Sequence, residues 1–325
     1  MKIAGFTQRA RAALFTTAIA LAALQAAPSL AAAPMAKTNA PGFYRIMLGD
    51  FEVTVINDGT VDLPVDTLLQ NISKEKVVQT LDKRYLKSPL ETTDDAFLIN
   101  TGTKLVLIDS GAGTLFGPTL GKLVANIKAS GYQPEQVDEI YVTHMHPDHI
   151  GGLSADGKAV FPNAVVRADK KESDFWLSDA NAAKAPDQMK GFFQGAKAML
   201  TPYVSAGKFK PFEGTTDLVP GIKAAPSAGH TPGHTTYIVE SKGQKLVLVG
   251  DLIHVAAVQF PEPSVVIGFD TDSKSAEAER QKEFAAAAKG GYLLGAAHLS
   301  FPGLGHLAPE GKGYEWIPVN FTQLH

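Results

Sequence analysis

The residues best able to do chemistry in this chain are its histidines and the aspartates beside them. Nine histidines are present, at 144, 146, 149, 230, 234, 254, 298, 306 and 325, and there is no cysteine. The string Thr143-His144-Met145-His146-Pro147-Asp148-His149-Ile150-Gly151-Gly152 follows an apolar run with strand alternation, residues 137–143. A period of two puts His144 and His146 on one side as the chain leaves that strand, so both imidazoles can bind one cation. A turn at Pro147 then aims Asp148 and His149 at a neighbouring position. Two further strand ends carry the same residue types: Gly229-His230-Thr231-Pro232-Gly233-His234, and Val249-Gly250-Asp251 joined by Ala297-His298. With no thiolate available, a metal site here must use nitrogen and oxygen, and imidazole with carboxylate suits zinc and similar divalent ions. A lone His-x-His pair would as readily be two surface histidines. The full string, with Gly-Gly behind it and three strand ends sharing seven of the nine histidines, is not explained that way.

These residues need strands that end together. Phe51–Asn57 alternates and meets Asp58-Gly59, which has turn chemistry; Phe97–Ile99 and Leu105–Ile108 flank Asn100–Thr103 as a hairpin. Residues 118–130 carry helical spacing with Gly131 as a stop, and helices are predicted again at 170–178, 188–200 and 273–289. Short strands are predicted at 165–167, 235–240, 245–249 and 292–297, the last running into His298. Strand runs interleaved with helices in two halves indicate a layered α/β architecture.

Composition fits a globular protein: of 325 residues 45% are hydrophobic and 19% charged, and no repeat is visible. Lys2, Arg9 and Arg11 precede an apolar stretch and the small residues Ser29–Ala33, which reads as a signal peptide over residues 1–33. A retained anchor is the alternative, but the apolar stretch is short and broken by Gln25 and Pro28. The expectation is an exported chain, periplasmic or secreted, with residues 34–325 as one domain and no membrane contact after cleavage. That portion holds 27 Lys+Arg against 33 Asp+Glu with no basic cluster, which argues against nucleic acid as a partner.

The string THMHPDHIGG, with GHTPGH, VGDL and AHLS, resembles the metallo-β-lactamase superfamily with a two-metal site. The resemblance implies a four-layer αββα sandwich with the site at one edge of the sheets. It implies that His144, His146 and His230 hold one cation, that Asp148, His149 and His298 hold the other, and that Asp251 bridges them. Zinc is first among the candidate cations. Asp109 resembles the strand-end aspartate that buttresses this site, and His234 has a supporting place in its turn. Longer stretches, among them GDFEVTVINDGTV, LFGPTLGKL and AAKGGYLLGAAHLSFPGLGH, resemble the methyl parathion hydrolase family and its lactonase-like relatives, which implies a homodimer.

Two cations about 3.5–4 Å apart lower the pKa of a shared water to about 7, which supplies a nucleophile at neutral pH. Asp148 and Asp251 then serve catalysis by offsetting the charge of the cations. No free group in the motifs is an evident general acid, so substrates whose leaving group departs as a stabilised anion suit the site: aromatic lactones, aryl esters and aryl phosphotriesters. By resemblance Phe116, Trp176 and Phe192 form the aromatic pocket for that group. Departures from the methyl parathion hydrolase pattern, His254 for leucine, Leu68 for arginine, and Ile267 and Phe269 in the pocket wall, favour a lactone or aryl ester over a bulky phosphotriester. Primary phosphotriesterase activity is the alternative, and a non-catalytic metal-binding protein without an aromatic pocket is the third.

Overall fold

The computed structural model describes residues 33–324; the expected signal peptide and His325 lie outside the described residues, apart from Ala33 itself. Within the unit Pro41–His325 two sheets form the body. One has six strands in the order Phe43–Leu48, Phe51–Leu63, Leu90–Asn100, Leu105–Ile108, Glu139–Tyr141, Val165–Arg167. The other has seven, in the order Thr216–Val219, Ile222–Pro226, Thr235–Ser241, Gln244–Leu248, Leu293–Gly295, Leu304–Glu310, Gly313–Pro318.

Strand alternation makes the layers. Val53, Val55, Phe97, Ile99, Val106 and Ile108 of the first sheet share one buried cluster with Ile222, Tyr237, Val239, Leu246 and Leu248 of the second. Their neighbours Ala96, Leu98, Leu105 and Leu107 point the other way, onto Leu123 and Ile127 of the helix Leu123–Ala129 and onto Phe193, Ala196 and Leu200 of Asp187–Ser205. Across the second sheet Val247, Leu294 and Leu307 meet Phe284 and Ala287 of the helix Ser273–Gly290. Helix, sheet, sheet, helix is the expected αββα sandwich.

One predicted break is absent. The Phe51 strand runs through Asp58-Gly59 to Leu63, with a register shift between Asn57 and Gly59. Asp58 is buried, and its carboxylate accepts from the backbone N–H groups of Ala112 (3.0 Å), Gly121 (2.8 Å) and Leu123 (2.8 Å). This bulge residue therefore pins the loop that carries Phe116, and the following helix starts at Leu123, later than its apolar spacing suggests.

Within the first sheet the strands Leu105–Ile108, Glu139–Tyr141 and Val165–Arg167 run parallel, and within the second so do Gln244–Leu248 and Leu293–Gly295. Their carboxyl ends open on one edge, where parallel strands leave room for a ligand. The sheets are tied there by Thr235 N–H donating to the Thr143 carbonyl (2.9 Å) and by the Tyr237 hydroxyl donating to Val142 (2.7 Å).

Candidate metal centre

Most site residues sit one to five positions past a strand end. Asp109 follows Ile108, His144 and His146 follow Tyr141, Asp251 follows Leu248, and His298 follows Gly295. The short helix Pro147–Ile150 brings Asp148 and His149 back toward Asp109. Its docking explains the Gly-Gly that follows: a Cβ on Gly151 would lie 1.9 Å from the Ala112 carbonyl oxygen, and one on Gly152 would lie 2.0 Å from that of Ser110. Only glycine lets the two backbones approach this closely.

Asp251 stands at the centre. Its Oδ2 lies 3.6 Å from His144 Nε2, 3.3 Å from His230 Nε2, 3.3 Å from His298 Nε2 and 3.0 Å from His254 Nε2. Its Oδ1 lies 3.2 Å from His149 Nε2. On one side His144, His146, His230 and Asp251 offer ligand atoms within 4.8 Å of one another, and on the other Asp148, His149 and His298 do. Asp251, His254 and His298 form a third such group, so Asp251 reaches both sides and His254 stands at ligand distance as well.

The outer nitrogens of the histidines are already engaged. His149 Nδ1 meets Asp109 Oδ2 at 2.9 Å, His230 Nδ1 meets Asp270 Oδ1 at 2.9 Å, and His298 Nδ1 donates to the Thr93 carbonyl at 3.0 Å. His144 Nδ1 lies 3.0 Å from Thr143 Oγ1. These partners fix each ring so that its inner nitrogen faces the cluster. His146 is turned the other way, with Nδ1 only 3.1 Å from His230 Nε2. The inner atoms lack partners: His144 Nε2, His149 Nε2 and Asp251 Oδ1 are buried without a hydrogen bond. Orphaned buried polar atoms are rare and costly, and lone pairs converging on two points are what divalent cations would satisfy. The donor set fits two such ions.

Electrostatics points the same way. Burial and neighbouring imidazoles hold His144 and His146 well below the usual histidine range. Burial also opposes charge on His230 and His298, yet the carboxylates of Asp251 with Asp270 and of Asp251 with Asp148 overcome it, raising them to about 9 and about 10. His149 is raised well above its usual value against the same burial, by Asp251, Asp148 and Asp109. The pocket stabilises positive charge, and protons take the place of cations.

The remaining predicted residues fall in three places. Phe116, His254 and Phe269 line a small cavity of about 30 Å³ against Asp148, Asp251 and His298. Phe192 lines that cavity and an adjoining cleft of about 490 Å³, whose walls include Phe175, Met189, Phe193 and Phe269. Trp176, Leu68 and Ile267 line neither. Trp176 is 1% exposed and packs in a T-shaped contact with His146, ring centroids 5.3 Å apart, so it backs the pocket from within the core. Ile267 is wholly buried beside Val65 and Val77, and Leu68 packs on the same cluster while its carbonyl accepts from Gly268. Ile267 is a core residue, and Leu68 lies half-buried against the same cluster. His234 faces inward: Nδ1 meets Ser227 Oγ at 2.8 Å and Nε2 accepts from the Asp251 backbone at 3.0 Å, which anchors that loop. His306 lies on the strand Leu304–Glu310, opposite Ile317.

Several contributors carry no sequence signal. Glu172 is fully buried and accepts from Met145 N–H, Thr231 Oγ1 and Gly233 N–H, each at 2.8 Å. It joins the loop of His144 and His146 to the loop of His230. Arg280, also fully buried, donates to the Leu252, Pro263 and Val265 carbonyls and holds the chain beyond Asp251. In either amide orientation Glu172→Gln presents an N–H₂ to at least one N–H that already points there, so metal affinity should fall about 10- to 100-fold, as when ligand-orienting partners are removed. Competition with a chromophoric chelator measures this, and unchanged affinity would show that Glu172 does not hold the two loops in register.

Comparison with known proteins gives the family. A solved structure described as hydrolase AbOPH in the beta lactamase superfamily is 42% identical, covers 88% of this chain and 100% of its own, and superposes with a TM-score of 0.84. AidC, described as a dizinc quorum-quenching lactonase, is 28% identical with a TM-score of 0.80, covering 87% and 99% of the two chains. Among curated relatives, an N-acyl homoserine lactonase of Bacillus sp is 27% identical over 204 residues, which is 60% of this chain and 73% of that protein. Its Bacillus cereus counterpart is 26% identical over 162 residues, so the chain spans about half (56%) of that relative's length. The model of the metallo-beta-lactamase superfamily matches residues 93–298, which hold every candidate ligand from His144 to His298, and the chain belongs to that superfamily.

Proposed function

We propose that this metal-dependent hydrolase opens aromatic lactones and aryl esters, with weak turnover of organophosphate triesters. The observation that carries the reading is the position of the His/Asp cluster at the foot of an aromatic-walled cleft. When bound, the cations supply a nucleophile from water at neutral pH and polarise the scissile carbonyl. The chain does the rest. Asp251 and Asp148 offset the positive charge. Phe192 and Phe269, shared by the small cavity and the cleft, hold an apolar ring or chain against the centre. An aromatic pocket is what a mere metal-binding protein would lack. Lactone hydrolysis is the activity named for the Bacillus relatives and AidC, and it enters here as part of the proposal. The same proposal keeps an exported homodimer.

The choice of a planar ester over a tetrahedral phosphotriester is supported by the tightness of the inner cavity, about 30 Å³ with His254 in its wall. His254 is buried, with Nδ1 lacking a partner and available for a hydrogen bond with a polar group of the substrate. The test compares kcat/KM for dihydrocoumarin with that for a dimethyl aryl phosphotriester. The lactone should win in the native chain, and His254→Leu should shift the ratio toward the phosphotriester. A native preference for the phosphotriester overturns the reading. An unchanged ratio in His254→Leu leaves the residue as an anchor for Asp251 alone.

A further inference from the structure

His254 has the surroundings of a ligand without belonging to the set that the motifs assign. It is buried, and its Nε2 lies 3.0 Å from Asp251 Oδ2, nearer than that of His144, His230 or His298. The contact lacks the alignment of a hydrogen bond, so both ring nitrogens stand without a partner, as His144 Nε2 and His149 Nε2 do. The ligand atoms of Asp251, His254 and His298 lie within 4.8 Å of one another. The His254 and His298 rings are stacked, with centroids 5.2 Å apart and planes 16° apart, and both bring Nε2 close to the same carboxylate oxygen. The main chain under the ring is held in place. Gln259 is buried, and its Oε1 accepts from the backbone N–H groups of His254 (2.8 Å) and Val255 (2.9 Å) while its Nε2 donates to the Val265 carbonyl (3.1 Å). The ring lines the cavity of about 30 Å³ that Asp148, Asp251 and His298 also line. A buried imidazole with neither nitrogen satisfied is costly, and an apolar side chain would fill the same space without that cost. A cation among these lone pairs removes it.

We propose that His254 is a further ligand of the metal centre, its Nε2 joining Asp251 and His298 on the cation that Asp148 and His149 also hold. The inference rests on the His/Asp cluster being a metal centre, and it deepens the reading of the site. With a cation on Nε2 the proton of the ring resides on Nδ1, which makes that nitrogen a hydrogen-bond donor.

The test loads the full chain, labelled with 15N-histidine, with 113Cd, whose large coupling to nitrogen requires a direct bond. The imidazole resonance that His254→Leu removes should be split by cadmium in the native chain. Zinc affinity, read by competition with a chromophoric chelator, is the second measurement. His254→Leu should weaken the second equivalent of zinc at least as much as loss of a ligand-orienting partner does, about 10- to 100-fold, and leave the first near native. His254→Gln keeps a donor for Asp251 and offers no imidazole, so it should not restore the second equivalent. An unsplit His254 resonance in a chain that holds two cadmium ions overturns the proposal and leaves the metal centre standing, and so does a His254→Gln variant that binds both zinc ions as tightly as the native chain. Failure of the native chain to bind either metal overturns the metal centre together with the proposal.

Discussion

Asp251→Asn should reduce kcat/KM for an aryl lactone on the order of 10³-fold. The side chain keeps its shape, so the loss isolates charge. In the native chain two carboxylate oxygens face five imidazoles: Oδ2 is 3.0–3.6 Å from those of His144, His230, His254 and His298, and Oδ1 is 3.2 Å from that of His149. An amide has a single acceptor oxygen, and its N–H₂ would face lone pairs that converge for cations. A metal that organises a reaction contributes several kcal/mol, and about 1.4 kcal/mol corresponds to one factor of ten, so losing the shared anion should cost about three such factors. Bound metal should fall in parallel, read by elemental analysis after gel filtration. A variant that keeps full metal and near-native kcat/KM would remove Asp251 from the centre of the site. His306→Ala, on a strand remote from the cluster, is the control for handling and loading.

What is legible in the sequence and what is not divide along the distance between interacting residues. The ligand string is legible because His144, His146, Asp148 and His149 lie within one strand exit, where a period of two and a proline dictate direction. The hairpin at Asn100–Thr103 is legible for the same local reason, and Phe97 does pair with Ile108. Glu172 is not. It lies in Lys170-Lys171-Glu172-Ser173-Asp174, which has the composition of a solvated helix face, and its burial comes from partners 27, 59 and 61 residues away. Asp58-Gly59 has the chemistry of a turn, but three backbone N–H groups more than fifty residues downstream recruit the carboxylate and the strand continues through a bulge. Resemblance places Leu68 and Ile267 in the pocket wall. Here the small ladder pairing Leu69 with Ile267 buries those two in the core and leaves Leu68 half-buried against it. Resemblance carries over the ligands, whose geometry the cations enforce, better than pocket walls, which any repacking can move.

Removing the metal should cost stability as well as activity, and the cost should depend on pH. In the metal-free chain the cluster holds protons: His230 and His298 are raised to about 9 and about 10, and His149 is raised well above its usual value, because Asp251 and its neighbouring carboxylates outweigh burial. A group whose folded pKa lies above its unfolded value stabilises the folded state below the unfolded pKa, and that contribution is lost as pH rises through the folded pKa. Metal-free stability contributed by these histidines should therefore be full below about pH 6.5 and decline toward pH 10. Cations displace those protons, so the loaded protein should behave oppositely, with apparent metal affinity rising about tenfold per pH unit for each proton expelled. At a free metal concentration about 100 times the dissociation constant, loading adds about 2.7 kcal/mol. The gap in Tm between loaded and chelated protein should thus widen from pH 6 to pH 8. Calorimetric titration of zinc in two buffers of different ionisation enthalpy should show protons released. A gap independent of pH, or loading without proton release, would mean that His149, His230 and His298 do not receive the metal.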